Sequence, residues 1–287
     1  MTENAINADQ IEFWNSTAGE QWVKGQENMD KTLAGFGQLA MTALAPVSGE
    51  AVIDVGCGCG ATSLALMQVM AHGKVLGVDI SAPMLARAEE RSLELSLDAV
   101  TFQQADAAVY DFETNSFDGV FSRFGVMFFD NPVAAFTNIR TGLKPGGRLS
   151  FVCWRPVSDN QWTRVPMMAA FEHIERPNPP APGAPGPFAF SDQAHTRTML
   201  EDAGFCDVSI EPKNLPMAFS IAPDKPLGLQ FAEMGPVGRL LVNAPDDKKT
   251  AIIDSMTKAL EPFVQGDQAI LDGAVWLVTA KNAKDQP

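Results

Sequence analysis

Among 287 residues there are one tyrosine, three histidines and four cysteines, and 21 basic residues stand against 35 acidic ones. Each scarcity removes a class of function. A formal charge of -14 repels phosphate backbones, and no run of Lys and Arg forms a local patch, so nucleic acid is not expected as a partner. No stretch of about eighteen uninterrupted apolar residues occurs, so no membrane span is expected. The opening MTENAINADQIEFW has no basic region leading into an apolar one. It reads as lacking a secretory signal, with the cytoplasm as the default location. His72, His173 and His195 sit in no ligand-like spacing, and Cys57-x-Cys59 lacks the second ligand pair of a zinc site. No metal is therefore expected. With Cys153 and Cys206 far along the chain, no structural disulfide is expected in a reducing compartment either.

What the chain does have is a rhythm. AVIDV, GKVLGVDI, AVTFQQAD, FDGVFSRF and the strand after KPGG are short apolar runs, and helical patterns alternate with them. Examples are ATSLALMQVMA, SAPMLARAEERSLEL and NPVAAFTNIRTGL. This alternation predicts an α/β fold, a doubly wound and mostly parallel sheet. Such sheets bind ligands just beyond the carboxyl ends of their strands, where strand order reverses. A helix is expected from Met29 to about Leu44, preceded by Trp14 and Trp22. RPNPPAPGAPGP (176–187), with six prolines and two glycines, cannot be regular structure. SDQAHTRTMLEDAGF then resumes as a capped helix, CDVSIEPKNLPMAF as a strand, 235–264 as mostly helix and AVWLVTAKN as a last strand.

The first strand ends in DVGCGCG, so Gly56, Gly58 and Gly60 lie between a strand and a helix. Glycine serves there where φ is positive or where a ligand must approach the backbone. The helix that follows offers free amides and the positive end of its dipole. A dinucleotide fits this pattern, because Gly56, Gly58 and Ala61 satisfy G-x-G-x-x-A and Asp79 ends the next strand about twenty residues on. Asp54 separates the alternatives. A carboxylate beside the turn repels a pyrophosphate and favours a ligand bearing an ammonium group. It has a rival role in bonding backbone amides of the turn.

Asp54-x-Gly56-x-Gly58-x-Gly60, followed by Asp79, Asp106 in QQADAA and LKPGGRL at 143–149, resembles the class I S-adenosylmethionine-dependent methyltransferases. FWNSTAGEQW, FSRFGVMFF and APGPFAFSD are similar to a bacterial small-molecule group allied to the quinone-biosynthesis C-methyltransferases. The resemblance implies a seven-stranded Rossmann-like fold with a helical cap, and S-adenosylmethionine as cofactor with S-adenosylhomocysteine as product. The glycine loop would lie against the methionine part, Asp79 would hold the ribose hydroxyls and Asp106 would lie by the adenine. Cys57, Ile80, Met84, Ala105, Ala107 and Ser122 complete the implied cofactor surface. Residues 1–45 are expected as a lid, 46–155 as the cofactor-binding core and 156–190 as a Pro-rich insertion. Residues 191–287 then supply the last strands, with a helical cap insertion at about 222–265.

Toward the acceptor, Arg123 is either a substrate-facing cation or a partner for an acid. Phe124, Met127, Phe128 and Phe129 are either core or a dry wall. Trp14 and Trp22 are either lid aromatics that meet the sulfonium or anchors for a helix. Trp154 and Trp162 are expected to line the acceptor pocket, with Arg155 between them. The acceptor is expected to be phenolic or quinone-like, with a small thiol as alternative. Further rivals are a nicotinamide-dependent oxidoreductase and a non-catalytic cofactor-binding protein. No general base is evident, since His173 and His195 qualify only by titrating near neutrality. The oligomer, monomer or homodimer, is left open.

Overall fold

The computed structural model describes residues 7–283 except 179, 182 and 236. Residues 1–6 of the expected lid and two prolines of the 176–187 stretch thus lie outside the described residues. Three helices open the chain: α1 (Ala8–Trp14), α2 (Thr17–Lys24) and α3 (Gln26–Leu44). The alternating part follows as β1 (Ala51–Val55), α4 (Ala61–Val69), β2 (Lys74–Asp79), α5 (Ala82–Glu94), β3 (Val100–Gln104), β4 (Phe117–Arg123), α6 (Pro132–Gly142) and β5 (Leu143–Trp154). Beyond it come α7 (Gln161–Ala170), α8 (Gln193–Asp202), β6 (Phe205–Ser220), α9 (Leu227–Met234), α10 (Val237–Asn243), α11 (Asp246–Leu260), β7 (Val264–Gln265) and β8 (Gln268–Asn282).

The sheet runs β3-β2-β1-β4-β5-β8-β6, and the two-residue β7 pairs antiparallel with β8 off this path. The pairs β1–β2, β1–β4, β2–β3 and β4–β5 are parallel. From β1 the chain therefore builds outward first through β2 and β3, then on the other side through β4 and β5. The reversal falls between β1 and β4, which is where such a sheet opens a ligand crevice.

The chain divides into two compact units. The first comprises residues up to Cys153, Gly183–Lys213 and those from Val275 onward; the second comprises Trp154–Pro182 and Asn214–Ala274. In the first, Phe136 gathers Phe129, Phe151, Phe190 and Phe205 around it with ring centroids 5.7–6.2 Å apart. Each such buried ring contributes about 1.5–3 kcal/mol of transfer free energy. The second unit is largely helical, with α7 and α9 each packed on α10 and α11. Helix α7, within the expected 156–190 insertion, holds a buried Pro166 in its interior, where a proline ordinarily breaks a helix.

The ends of β1 and β4 are locked to each other. Ser122 Oγ donates to Val55 O at 2.7 Å and accepts from Gly125 N at 3.1 Å. A Cβ on Gly125 would lie 2.4 Å from Val55 O and 2.7 Å from Gly56 Cα, so only two facing glycines allow the strand ends this close. Replacing Gly125 by alanine must push the strand ends apart and should cost about 1–3 kcal/mol. The urea midpoint of Gly125→Ala should fall accordingly, and an unchanged midpoint would contradict this packing.

Candidate functional site

Asp54 occupies the fourth position of β1 and is fully buried, at 0% exposure. Its Oδ2 accepts from Thr62 Oγ1 at 2.7 Å and Ser63 Oγ at 2.6 Å, both in the first turn of α4. Asp54 Oδ1 is buried and has no hydrogen-bond partner among the described residues. Its hydrogen-bond partners are therefore helix hydroxyls and not turn amides. Burial pushes its carboxyl up from 3.8 to about 6, against the two hydroxyl bonds and the nearby charge of Arg123, which pull it down.

The three glycines of the turn have different tasks. A Cβ on Gly56 would lie 2.5 Å from Gly125 Cα, and one on Gly60 2.9 Å from Ala88 Cβ of α5. Those two serve close packing of the protein on itself. At Gly58, φ 55°, an added Cβ would lie 2.8 Å from Met84 Cε, so the neighbour there is the flexible end of a side chain and not backbone. The turn is tied to β2 by Gly56 N and Cys57 N, which both donate to Val78 O. Cys57 and Cys59 are buried small residues of this turn. Burial pushes the Cys57 thiol well up and that of Cys59 up to about 12, so neither is a thiolate near neutrality.

Asp79 ends β2, partly exposed, with Oδ2 accepting from Gly58 N at 2.8 Å and Oδ1 from Ser81 N at 2.9 Å. Desolvation raises its carboxyl, and these backbone bonds oppose the rise. Each oxygen keeps a further lone pair for an outside donor. Ile80 O accepts from Asn15 and Gln104, Met84 is buried, and Ala105 N donates to Asp79 O. Asp106 Oδ1 accepts from Ala108 N, and its Oδ2 from Asn7 Nδ2 at 2.7 Å. Ala107 is buried, and its carbonyl takes a bond from Asn138.

The N-terminal helices touch these loops through residues that pattern reading did not single out. Asn7, buried and at φ 58°, bonds Asp106 and exchanges two bonds with Asp130. Ser81 Oγ donates to Trp14 O, and Asn15 Oδ1 accepts from Ala82 N. Trp14 stands edge-on to Trp22 at 6.0 Å and to Phe128 at 5.7 Å. Small polar residues of this kind carry no periodic signal; only the topology brings them to the strand ends.

Of the two partners weighed for Arg123, the structure supplies an acid, Asp30, at 3.4 Å. Phe124 adopts φ 63°, an uncommon conformation for a bulky residue, with its ring 5.7 Å from Phe36. Met127 and Phe129 are buried. Trp154 and Trp162 belong to the second unit, where their rings pack at 5.0 Å and Trp162 Nε1 donates to Asn160 Oδ1. His173 is there too, bonded to Ser255 Oγ at 2.7 Å, while the amide of His195 is capped by Asp192 at the start of α8. Among the described residues no His, Cys, Asp and Glu gather in a metal-holding group, and no helix is long and apolar enough to cross a membrane.

Residues 52–147 match the family described as a methyltransferase domain. Phosphoethanolamine N-methyltransferase 1 of Arabidopsis thaliana is 31% identical over 167 residues, 58% of this chain and 30% of that protein. Demethylmenaquinone methyltransferase of Lactiplantibacillus plantarum is 36% identical over 104 residues, 36% of this chain and 44% of that protein. The chain thus spans less than half the length of these curated relatives. Phosphoethanolamine N-methyltransferase 2 of Haemonchus contortus, solved with S-adenosyl-L-methionine, shares the fold. Its TM-score is 0.53 at 19% identity, over 86% of this chain and 52% of that one.

The raised Asp54 carboxyl has a measurable consequence. The folded protein holds this proton more tightly than the unfolded chain, so the stability from this group is complete below pH 3.8 and is lost as pH rises to about 6. The full change is worth roughly 3 kcal/mol. Asp54→Asn should remove that slope from urea unfolding measured between pH 4 and pH 7. An identical slope in both proteins would contradict the assignment.

Proposed function

We propose that the glycine turn binds S-adenosylmethionine and that the chain transfers its methyl group to a small-molecule acceptor, phenolic or quinone-like. S-methylation of a small thiol is the alternative. The observation that carries this reading is Asp54 Oδ1, a buried carboxylate oxygen without a partner in the strand that leads into the glycine turn. Leaving such an atom unpaired is costly, and an ammonium group offsets the cost where a pyrophosphate would add to it.

The other residues fit the same ligand. Asp79, with a spare lone pair on each oxygen, suits a pair of vicinal hydroxyls. Asp106 marks the end reached from the loop after β3, with Asn7 fixing its carboxylate. The first amides of α4 and the positive end of its dipole favour the carboxylate of an amino acid. The cofactor supplies an electrophilic methyl on sulfonium. What the chain contributes is alignment and the exclusion of water, for which Trp14, Trp22 and Phe128 form an aromatic cover held by Ser81 and Asn15. Phe124 is the residue of the β4 loop we assign to the acceptor side. Phenols and thiols reach their anions without a strong protein base, in keeping with a site in which we assign no histidine a catalytic role. The quinone-like class is further supported by the name of the Lactiplantibacillus relative.

Calorimetry with S-adenosylhomocysteine should give a saturable isotherm, with affinity falling as pH drops through about 6 and Asp54 takes up its proton. Asp79→Ala should weaken binding by about tenfold to a hundredfold. Incubation with S-adenosylmethionine and a panel of quinols, phenols, thiols and amines, scored by S-adenosylhomocysteine release, identifies the acceptor class. Binding of nicotinamide dinucleotides in place of the sulfonium cofactor would overturn the reading.

A further inference from the structure

The guanidinium of Arg91, in the last turn of α5, donates to the carbonyl of Cys59 in the glycine turn at 2.6 Å. The same peptide unit is held at its other end, where Gly60 N donates to Cys57 O at 3.0 Å. With O and N–H both bonded, the plane between Cys59 and the left-handed Gly60 cannot rotate, and the free amides of α4 start from a fixed point. Arg91 is itself held. Its Nη1 lies 3.1 Å from Asp30 Oδ2 on α3, and Gln26 Nε2 donates to that same oxygen. Asp30 Oδ1 meets Arg123 at the end of β4. One carboxylate thus stands between two guanidiniums, with all three side chains less than a fifth exposed. Partly buried pairs of this kind are screened less than surface pairs.

We infer that Asp30 is a positioning residue for the glycine turn, acting through Arg91. The inference rests on the proposed cofactor reading for its consequence on binding, and on the geometry alone for its consequence on the turn. By this route α3, which directly follows α1 and α2, is tied to the loop after β1. The same N-terminal segment reaches the β2 loop through Trp14 and Asn15 and the β3 and β4 loops through Asn7. Without the Asp30 carboxylate, Arg91 and Arg123 face each other uncompensated, and the hold on the Cys59 carbonyl loosens. Arg87, one turn earlier on the same helix, pairs with the exposed Glu90 and Glu94 and serves as a control outside the site.

The test uses the full chain in two arms. In the ligand-free protein, hydrogen exchange resolved to residues 57–63 should accelerate severalfold in Asp30→Asn and Arg91→Met, while Arg87→Met leaves it unchanged. In the second arm, Asp30→Asn should raise the Kd for S-adenosylhomocysteine about tenfold, the effect of losing one charge-assisted hydrogen bond. Asp30→Glu, which keeps the charge, should restore most of the affinity. The double variant Asp30→Asn/Arg91→Met should bind no worse than Arg91→Met, because both changes cut one path. Additive losses, or a lower Tm in Asp30→Asn with turn exchange and Kd unchanged, would overturn the inference. A wild-type protein that ignores S-adenosylhomocysteine would sink the cofactor reading, and the exchange arm would still decide the role of Asp30.

Discussion

A carboxylate bonded on one oxygen by two hydroxyls, and on the other by nothing in the described chain, lies under the turn that ends β1. Thr62 and Ser63 draw the first turn of α4 down onto β1. The protein keeps a charge where desolvation opposes it, and such tension persists in a fold when the uncompensated atom has a use. A ligand that brings a cation to this point gains from the carboxylate, and one that brings phosphates loses.

The glycines explain why the turn by itself is ambiguous. Gly56 is there because Gly125 passes within contact distance, and Gly60 because α5 does. Both demands come from packing a sheet against itself and its helices, and any fold of this architecture has them. At Gly58 the neighbour is the flexible end of Met84. Glycine spacing therefore reports the architecture, and on the proposed reading Asp54, Asp79 and Asp106 carry the cofactor chemistry.

The alternation of strands and helices was legible because buried parallel strands read as apolar runs and their helices as capped, periodic segments. Asp54 and Asp79 stand out in the sequence because acids within or ending apolar strands are conspicuous, whereas Asp106 follows the polar end of β3. The clasp made by Asn7, Asn15 and Ser81 was not legible, since its bonds span 65 to 123 residues and a lone asparagine has no pattern. Nor was the partner of Arg123. Choosing Asp30 among 35 acidic residues requires knowing that α3 crosses the end of β4. In the helix containing Pro166, a local rule against proline is overridden by packing among α7, α10 and α11.

Recognition of an ammonium group by Asp54 is the central requirement of the proposed site, and removing that group from the ligand tests it most directly. S-adenosylhomocysteine and its deaminated analogue should be compared by calorimetry on wild type and on Asp54→Asn at pH 7.5. The analogue should bind the wild type at least about tenfold more weakly, and the variant should hardly distinguish the two. Equal affinities for both compounds on the wild type would contradict it.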